Sequence, residues 1–142
     1  TSYISIENQE SVNLEGLPVV DYTKFYAEVI ELLNQPQNHC VSYFGFSYNN
    51  QIRLVCAIGD DDQKKIHLLS HEVKDGKVSL PSITEKHFAM HIFEREIAEN
   101  WGITFENHPW AKPVRYAHNR ADKSKVVNSY PFYKIGGNEL HE

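Results

Sequence analysis

Apolar and polar positions follow two rhythms along this chain, and the rhythms divide it into elements. From Tyr22 to Gln35 the apolar residues Tyr22, Phe25, Tyr26, Val29, Ile30 and Leu33 recur three or four positions apart. That spacing lines them up on one face of a helix. Asp21 is its expected N-cap, Gly16-Leu17-Pro18 the turn before it, and Pro36 its stop. Strand-like runs follow at 39–48, 51–59, 65–73 and 77–80, and a weaker alternation over Tyr3–Ile6 predicts one more short strand. Asn49-Asn50, the acidic Asp60-Asp61-Asp62 and the hairpin dipeptide Asp75-Gly76 join the four runs, which predicts a single antiparallel meander. Thr84 is the expected cap of a second helix, Glu85–Trp101, which Gly102 ends by supplying a left-handed residue. The order helix, strands, helix predicts an α+β fold of two layers. It has a mostly antiparallel sheet with helices packed on one face, and an extended C-terminal arm.

Composition narrows the functional classes. With 142 residues, 41% hydrophobic and 12% aromatic, the chain has material for one packed core. Fourteen basic against 19 acidic residues give a net charge of −5, which argues against nucleic acid as the main partner. No apolar run approaches the roughly 18–20 residues that span a bilayer, and no signal-peptide pattern opens the chain. The opening Thr1-Ser2, without Met, reads as an N-terminus that was removed or lies upstream.

The two cysteines can be placed by strand geometry. With Asn49-Asn50 as the turn, Phe44 faces Val55 and Tyr43 faces Cys56. Strict alternation then puts Cys40 on the Phe44 side, so the two sulfurs are expected on opposite faces of the sheet. This argues against a disulfide and for a reducing, cytoplasmic setting.

Beyond Phe105 the character changes. His108-Pro109-Trp110 and Lys112-Pro113 force extended backbone, since proline disfavours helix at the residue before it. Lys112, Arg115, Arg120, Lys123 and Lys125 stand against the single acid Asp122, and Tyr130-Pro131-Phe132-Tyr133 packs three aromatics together. The chain is therefore divided into a domain at 1–110 and an arm or linker at 111–142. Such an arm either lies on another protein surface or folds back over its own sheet.

Two groups are candidates for chemistry. His87, His91 and Glu94 fall on one face of the second predicted helix, a spacing that can hold zinc. Against this, Lys86 and Phe88 flank His87 where a zincin has its glutamate, and the eight histidines are scattered. Surface or hydrogen-bonded core histidines are the plainer reading. Glu94-Arg95-Glu96 is the densest charge group in a helix, yet no nucleophile lies near it in sequence. No P-loop, GxGxxG or GxSxG occurs. The residues alone define an α+β interaction domain.

The run from Phe93 to Pro109 resembles the signature of the 30 kDa subunit family of respiratory complex I. That signature reads E-R-E, two residues, an acid, one residue, an aromatic, G-I, then x-F-x-x-H-P. Glu94, Arg95, Glu96, Trp101, Gly102, Ile103, Phe105, His108 and Pro109 all fall in place. Glu99 stands where the family usually has Asp, and Lys112 and Arg115 take the place of the paired arginines that follow H-P. The resemblance implies that Glu94, Arg95, Glu96, Trp101, Gly102, His108, Pro109 and Arg115 dock against a large catalytic subunit and its iron–sulfur partner. It also implies that the domain itself binds no cofactor and catalyses nothing. On this reading the helix presents Glu94, Arg95 and Glu96 outward, His108-Pro109 redirects the chain away from the domain, and Glu94→Ala or Arg95→Ala weakens assembly more than folding.

A second resemblance lies at the C-terminus. Tyr130-Pro131-Phe132-Tyr133 and Gly136-Gly137-Asn138-Glu139-Leu140-His141-Glu142 resemble the joint in fused large subunits of membrane-bound NiFe hydrogenases of the formate hydrogenlyase kind. This implies a scaffold that assembles the hydrogenase catalytic domain and iron–sulfur small subunit at the inner face of the membrane. The NiFe centre and iron–sulfur clusters would then lie outside this chain. The alternatives are a stand-alone 30 kDa subunit of NADH–quinone oxidoreductase and, from another class, a small zinc-binding domain using the His87/His91 face.

Overall fold

The computed structural model describes residues 3–74, 78–112 and 114. In chain order the elements are β1 (Ile4–Glu7), a 3-10 turn (Leu14–Gly16), α1 (Tyr22–Leu33), β2 (Asn38–Tyr48), β3 (Gln51–Asp60), β4 (Lys65–Lys74) and β5 (Ser79–Pro81). A second 3-10 turn (Phe88–Met90), α2 (His91–Trp101) and β6 (Thr104–Glu106) follow. The α+β class with both helices on one side of an antiparallel sheet is as the sequence predicts.

Local chemistry explains most boundaries. The Asp21 carboxylate accepts from the Lys24 amide at 2.9 Å and starts α1. The α1 stripe buries Phe25 and Val29 completely, with Tyr22 and Leu32 beside them. Asn49 and Asn50 both take positive φ, 51° and 63°, which matches the twist of a two-residue hairpin between β2 and β3. Gly102, at φ 75°, closes α2 in the left-handed conformation.

The sheet is wired differently from the predicted meander. Its order is β1-β4-β3-β2, all antiparallel. The place expected for β5 beside β4 is held by β1, whose Ile4 and Ile6 pair with Leu68 and Ile66. β5 instead runs parallel to β6 in a separate two-stranded sheet. It has only three residues, and Pro81 among them has no amide to donate to a ladder. The Asp75-Gly76 turn lies outside the described residues.

One further correction concerns the cysteines. The register Tyr43↔Cys56 and Phe44↔Val55 is as predicted, but a bulge between Cys40 and Ser42 shifts the ladder, so that Cys40 pairs with Ile58. The extra residue turns Cys40 onto the same face as Cys56. Both are free thiols. A hydrogen bond that the Cys56 thiol donates to Cys40, together with burial, holds that thiol well above its ordinary value. The argument from opposite faces therefore fails.

The core lies between the sheet and the two helices. Leu54, Cys56, Ile58 and Leu69 from the sheet meet Phe25, Val29 and Ile97 from the helices, all at most 2% exposed. The opposite sheet face carries Ile4, Ile6, Phe44, Phe46, Val55, Ala57, Ile66 and Leu68, with no helix over it among the described residues. Arg53, on that face, is bound by both Nε and Nη2 to Glu72 at 3.1 and 2.6 Å and lies over the Tyr48 ring.

Trp101 packs on the sheet at Gly45. A Cβ built there meets Leu54 Cδ2 at 2.8 Å and Trp101 Nε1 at 3.1 Å. Leu54 is fully buried and has nowhere to move. Gly45→Ala is therefore expected to destabilise the domain by about 1–3 kcal/mol, the usual cost of overpacking. Urea unfolding followed by tryptophan fluorescence checks this, and an unchanged midpoint would refute the contact.

Candidate docking site around the second helix

The site is built on a buried carboxylate. Glu94 has no exposed surface. Its oxygens accept from Ser82 Oγ at 2.6 Å, Ile83 N at 2.7 Å, Thr84 N at 3.2 Å and Thr84 Oγ1 at 2.6 Å. Four donors from one short loop surround one carboxylate, the arrangement that makes a buried charge tolerable.

This corrects two expectations. Thr84 does not cap a helix over Glu85–Trp101, because its hydroxyl and amide are drawn to Glu94 instead. Lys86 and His87 hydrogen-bond back to Ile83, the 3-10 turn follows, and α2 begins only at His91. Glu94 also faces inward, so its side chain offers a partner nothing directly. Its loss is expected to damage the domain itself before any assembly.

His108 is the second buried group, its side chain 2% exposed. The Trp110 amide donates to Nδ1 at 3.0 Å, which makes Nδ1 the acceptor and leaves the neutral ring's proton on Nε2. Nε2 lies 3.8 Å from Glu94 Oε1 and has no hydrogen-bond partner. Burial pulls the His108 pKa below its ordinary 6.5, outweighing the attraction of Glu94 and of the His91 backbone, and the charges of Arg95 and His91 act in the same direction as burial. Asn107, at φ 63°, reverses the chain just before it. Pro109 and Trp110 accordingly turn back onto α2 and not away from the domain.

That return builds an exposed stack. Phe88 lies on His91 at 4.7 Å between ring centroids, and His91 on Trp110 at 5.3 Å. The Arg95 guanidinium sits 4.3 Å over the Trp110 ring, a cation–π distance. Arg95 also donates through Nε to the Lys112 carbonyl at 2.8 Å and through Nη1 to His91 Nδ1 at 3.1 Å. Phe88, Ile92 and Trp110 are 54%, 37% and 44% exposed. Further along, the Val114 amide donates to the buried Glu99 at 2.9 Å.

The residues singled out in the sequence divide accordingly. Arg95 and Pro109 belong to this surface, with Glu96 half-buried beside them. Trp101 and Gly102 end the helix and pack it on the sheet. Glu94 and His108 support the surface from below, and Arg115 lies outside the described residues. The zinc arrangement is not assembled. His87 precedes the helix and hydrogen-bonds Asn34 at 2.9 Å, His91 is held in the stack, and Glu94 is saturated by its loop. No three His, Cys, Asp or Glu side chains among the described residues could hold a metal together. The sequence reading passed over Phe88, Ile92, Ser82 and the role of Trp110. Its available signal was an aromatic residue immediately after His-Pro.

Fold and site together define an α+β domain with a pinned aromatic–arginine surface. The family described as respiratory-chain NADH dehydrogenase, 30 kDa subunit, matches residues 20–123, and the chain belongs to it. The match over those residues confirms the suspected membership, and the family is a subunit of an oxidoreductase complex. No curated protein matches the chain significantly. No helix among the described residues is long and apolar enough to cross a membrane.

Two outcomes follow from the buried pair. Glu94→Ala leaves the loop's four donors buried without an acceptor and is expected to cost about 3 kcal/mol or more. Arg95→Ala, at the surface, is expected to cost about 1 kcal/mol or less. Chemical denaturation of both variants tests the contrast, and equal losses would contradict it. Because folding lowers the pKa of His108, and of the buried His71, the unfolded chain binds more protons. Stability should be complete above the ordinary histidine pKa of about 6.5 and fall as pH drops below it. Melting curves between pH 7.5 and 5.5 should show this slope reduced in His108→Gln; an identical slope would remove His108 as a source.

Proposed function

We propose that the chain is the docking domain of a complex I-like assembly and that it joins the large catalytic part to its iron–sulfur partner through the α2 surface. The observation that carries this reading is the Arg95 stack. Three large apolar side chains stay exposed around an arginine whose position is fixed by a carbonyl, an imidazole and an indole. Aromatic residues and arginine are the types that dominate binding energy at protein interfaces. Two residues of the family signature hold the stack together, Arg95 within it and His108 through the Trp110 amide.

Within this reading the finer assignment is the domain that precedes the catalytic part in a NiFe hydrogenase large subunit, on the cytoplasmic side of the membrane. Its support is the resemblance of Tyr130–Glu142, outside both the matched span and the described residues. The NiFe centre and the iron–sulfur clusters would belong to the partners, and the chain itself would hold no cofactor. The second reading, a stand-alone 30 kDa subunit of NADH–quinone oxidoreductase, is favoured by the description of the matching family. Reading the source gene past codon 142 separates the two. A frame continuing into H-A-G and two CxxC pairs supports the hydrogenase, and a stop supports the stand-alone polypeptide.

The docking reading is tested by Trp110→Ala and Arg95→Ala in the intact assembly. Both are expected to lower the amount of chain that co-purifies with the large catalytic part by about tenfold, as hot-spot truncations do, while the free domain keeps its fold by circular dichroism. Undiminished co-purification would overturn it.

A further inference from the structure

The geometry points to a second interface, on the far side of the domain: the free edge of β2 receives an extended, uncharged strand from a partner protein of the assembly. This rests on the docking reading above and adds a surface to it. β2 ends the strand order, so among the described residues no strand pairs its outer edge. It is 11 residues long, and such an edge presents a row of backbone donors and acceptors that only another extended chain can satisfy in full.

Charge identifies the occupant. Edge strands that must stay free carry lysine, proline or inward charges. From Pro36 through Gln51 there is no Asp, Glu, Lys or Arg, although the whole chain holds 14 basic and 19 acidic residues. The edge therefore carries no charge that would repel a partner, and its complement is a neutral strand. The bulge between Cys40 and Ser42 kinks the first part of β2, which confines regular pairing to Ser42–Tyr48. Along that stretch Phe44, Phe46 and Tyr48 line up on the open face, with ring centroids 6.2 and 6.4 Å apart. Phe44 is 45% exposed. A partner strand with aromatic or β-branched residues at alternate positions would pair with this ladder.

Hydrogen exchange read by mass spectrometry tests this, on the free chain and on the intact assembly purified with it. Half of the Ser42–Tyr48 amides, those pointing outward, should exchange freely in the free chain and be slowed about 100-fold or more in the assembly. Phe44→Lys should reduce co-purification about tenfold, and Phe44→Tyr should restore it. If the chain co-purifies but these amides exchange as in the free chain, the edge is not used and the inference falls while the docking reading stands. Slow exchange already present in the free chain also overturns it: a doubled native mass would then assign the edge to a second copy, and a single mass to residues 115–142. If wild-type chain fails to co-purify at all, the docking reading fails first and this one with it.

Discussion

A single buried carboxylate organises the working half of this domain. Placing a charged group in the interior costs several kcal/mol unless donors surround it, and Glu94 obtains them from Ser82, Ile83 and Thr84. The loop cannot leave without stranding the charge, and α2 cannot turn without leaving the loop. The same segment ties outward in two further directions. The Tyr22 hydroxyl donates to the Pro81 carbonyl, and the Ser82 amide to the Glu106 carbonyl. α1, the loop, α2 and β6 are thereby joined around one ion.

The exposed stack is a by-product of this packing. His108 lies over Glu94 and takes the Trp110 amide, which brings the indole over Arg95. The family signature thus divides by depth. Glu94 and His108 act inside, and Arg95 displays the result. A surface organised by buried polar groups is more exacting than one organised by apolar packing, because every group must be matched at once.

Legibility in the sequence followed the range of the forces involved. Elements set by local periodicity or by backbone chemistry could be read directly: α1 with Asp21, the Asn49-Asn50 hairpin, Gly102. What depended on distant partners could not. Nothing near β5 in sequence reveals that its place beside β4 goes to β1, over sixty residues away in the chain. The start of α2 was misplaced because Thr84, a good cap by type, is claimed by a carboxylate ten residues on. The site residues were found by resemblance, but motif spacing carries no information on depth, so Glu94 and Arg95 looked alike.

The bulge in β2 can be understood as a correction of parity. Counting back from the hairpin, odd positions such as Tyr43 and Gly45 face the helices. At the other end Asn38, an even position, must face inward so that its amide can reach the Leu32 carbonyl at the end of α1. The two ends of one strand disagree by a single residue, and Val41 absorbs the difference. Removing Val41 would leave every remaining side chain of β2 on its present face and straighten the strand. One residue therefore separates this kinked border from a flat one on which like chains could stack without limit.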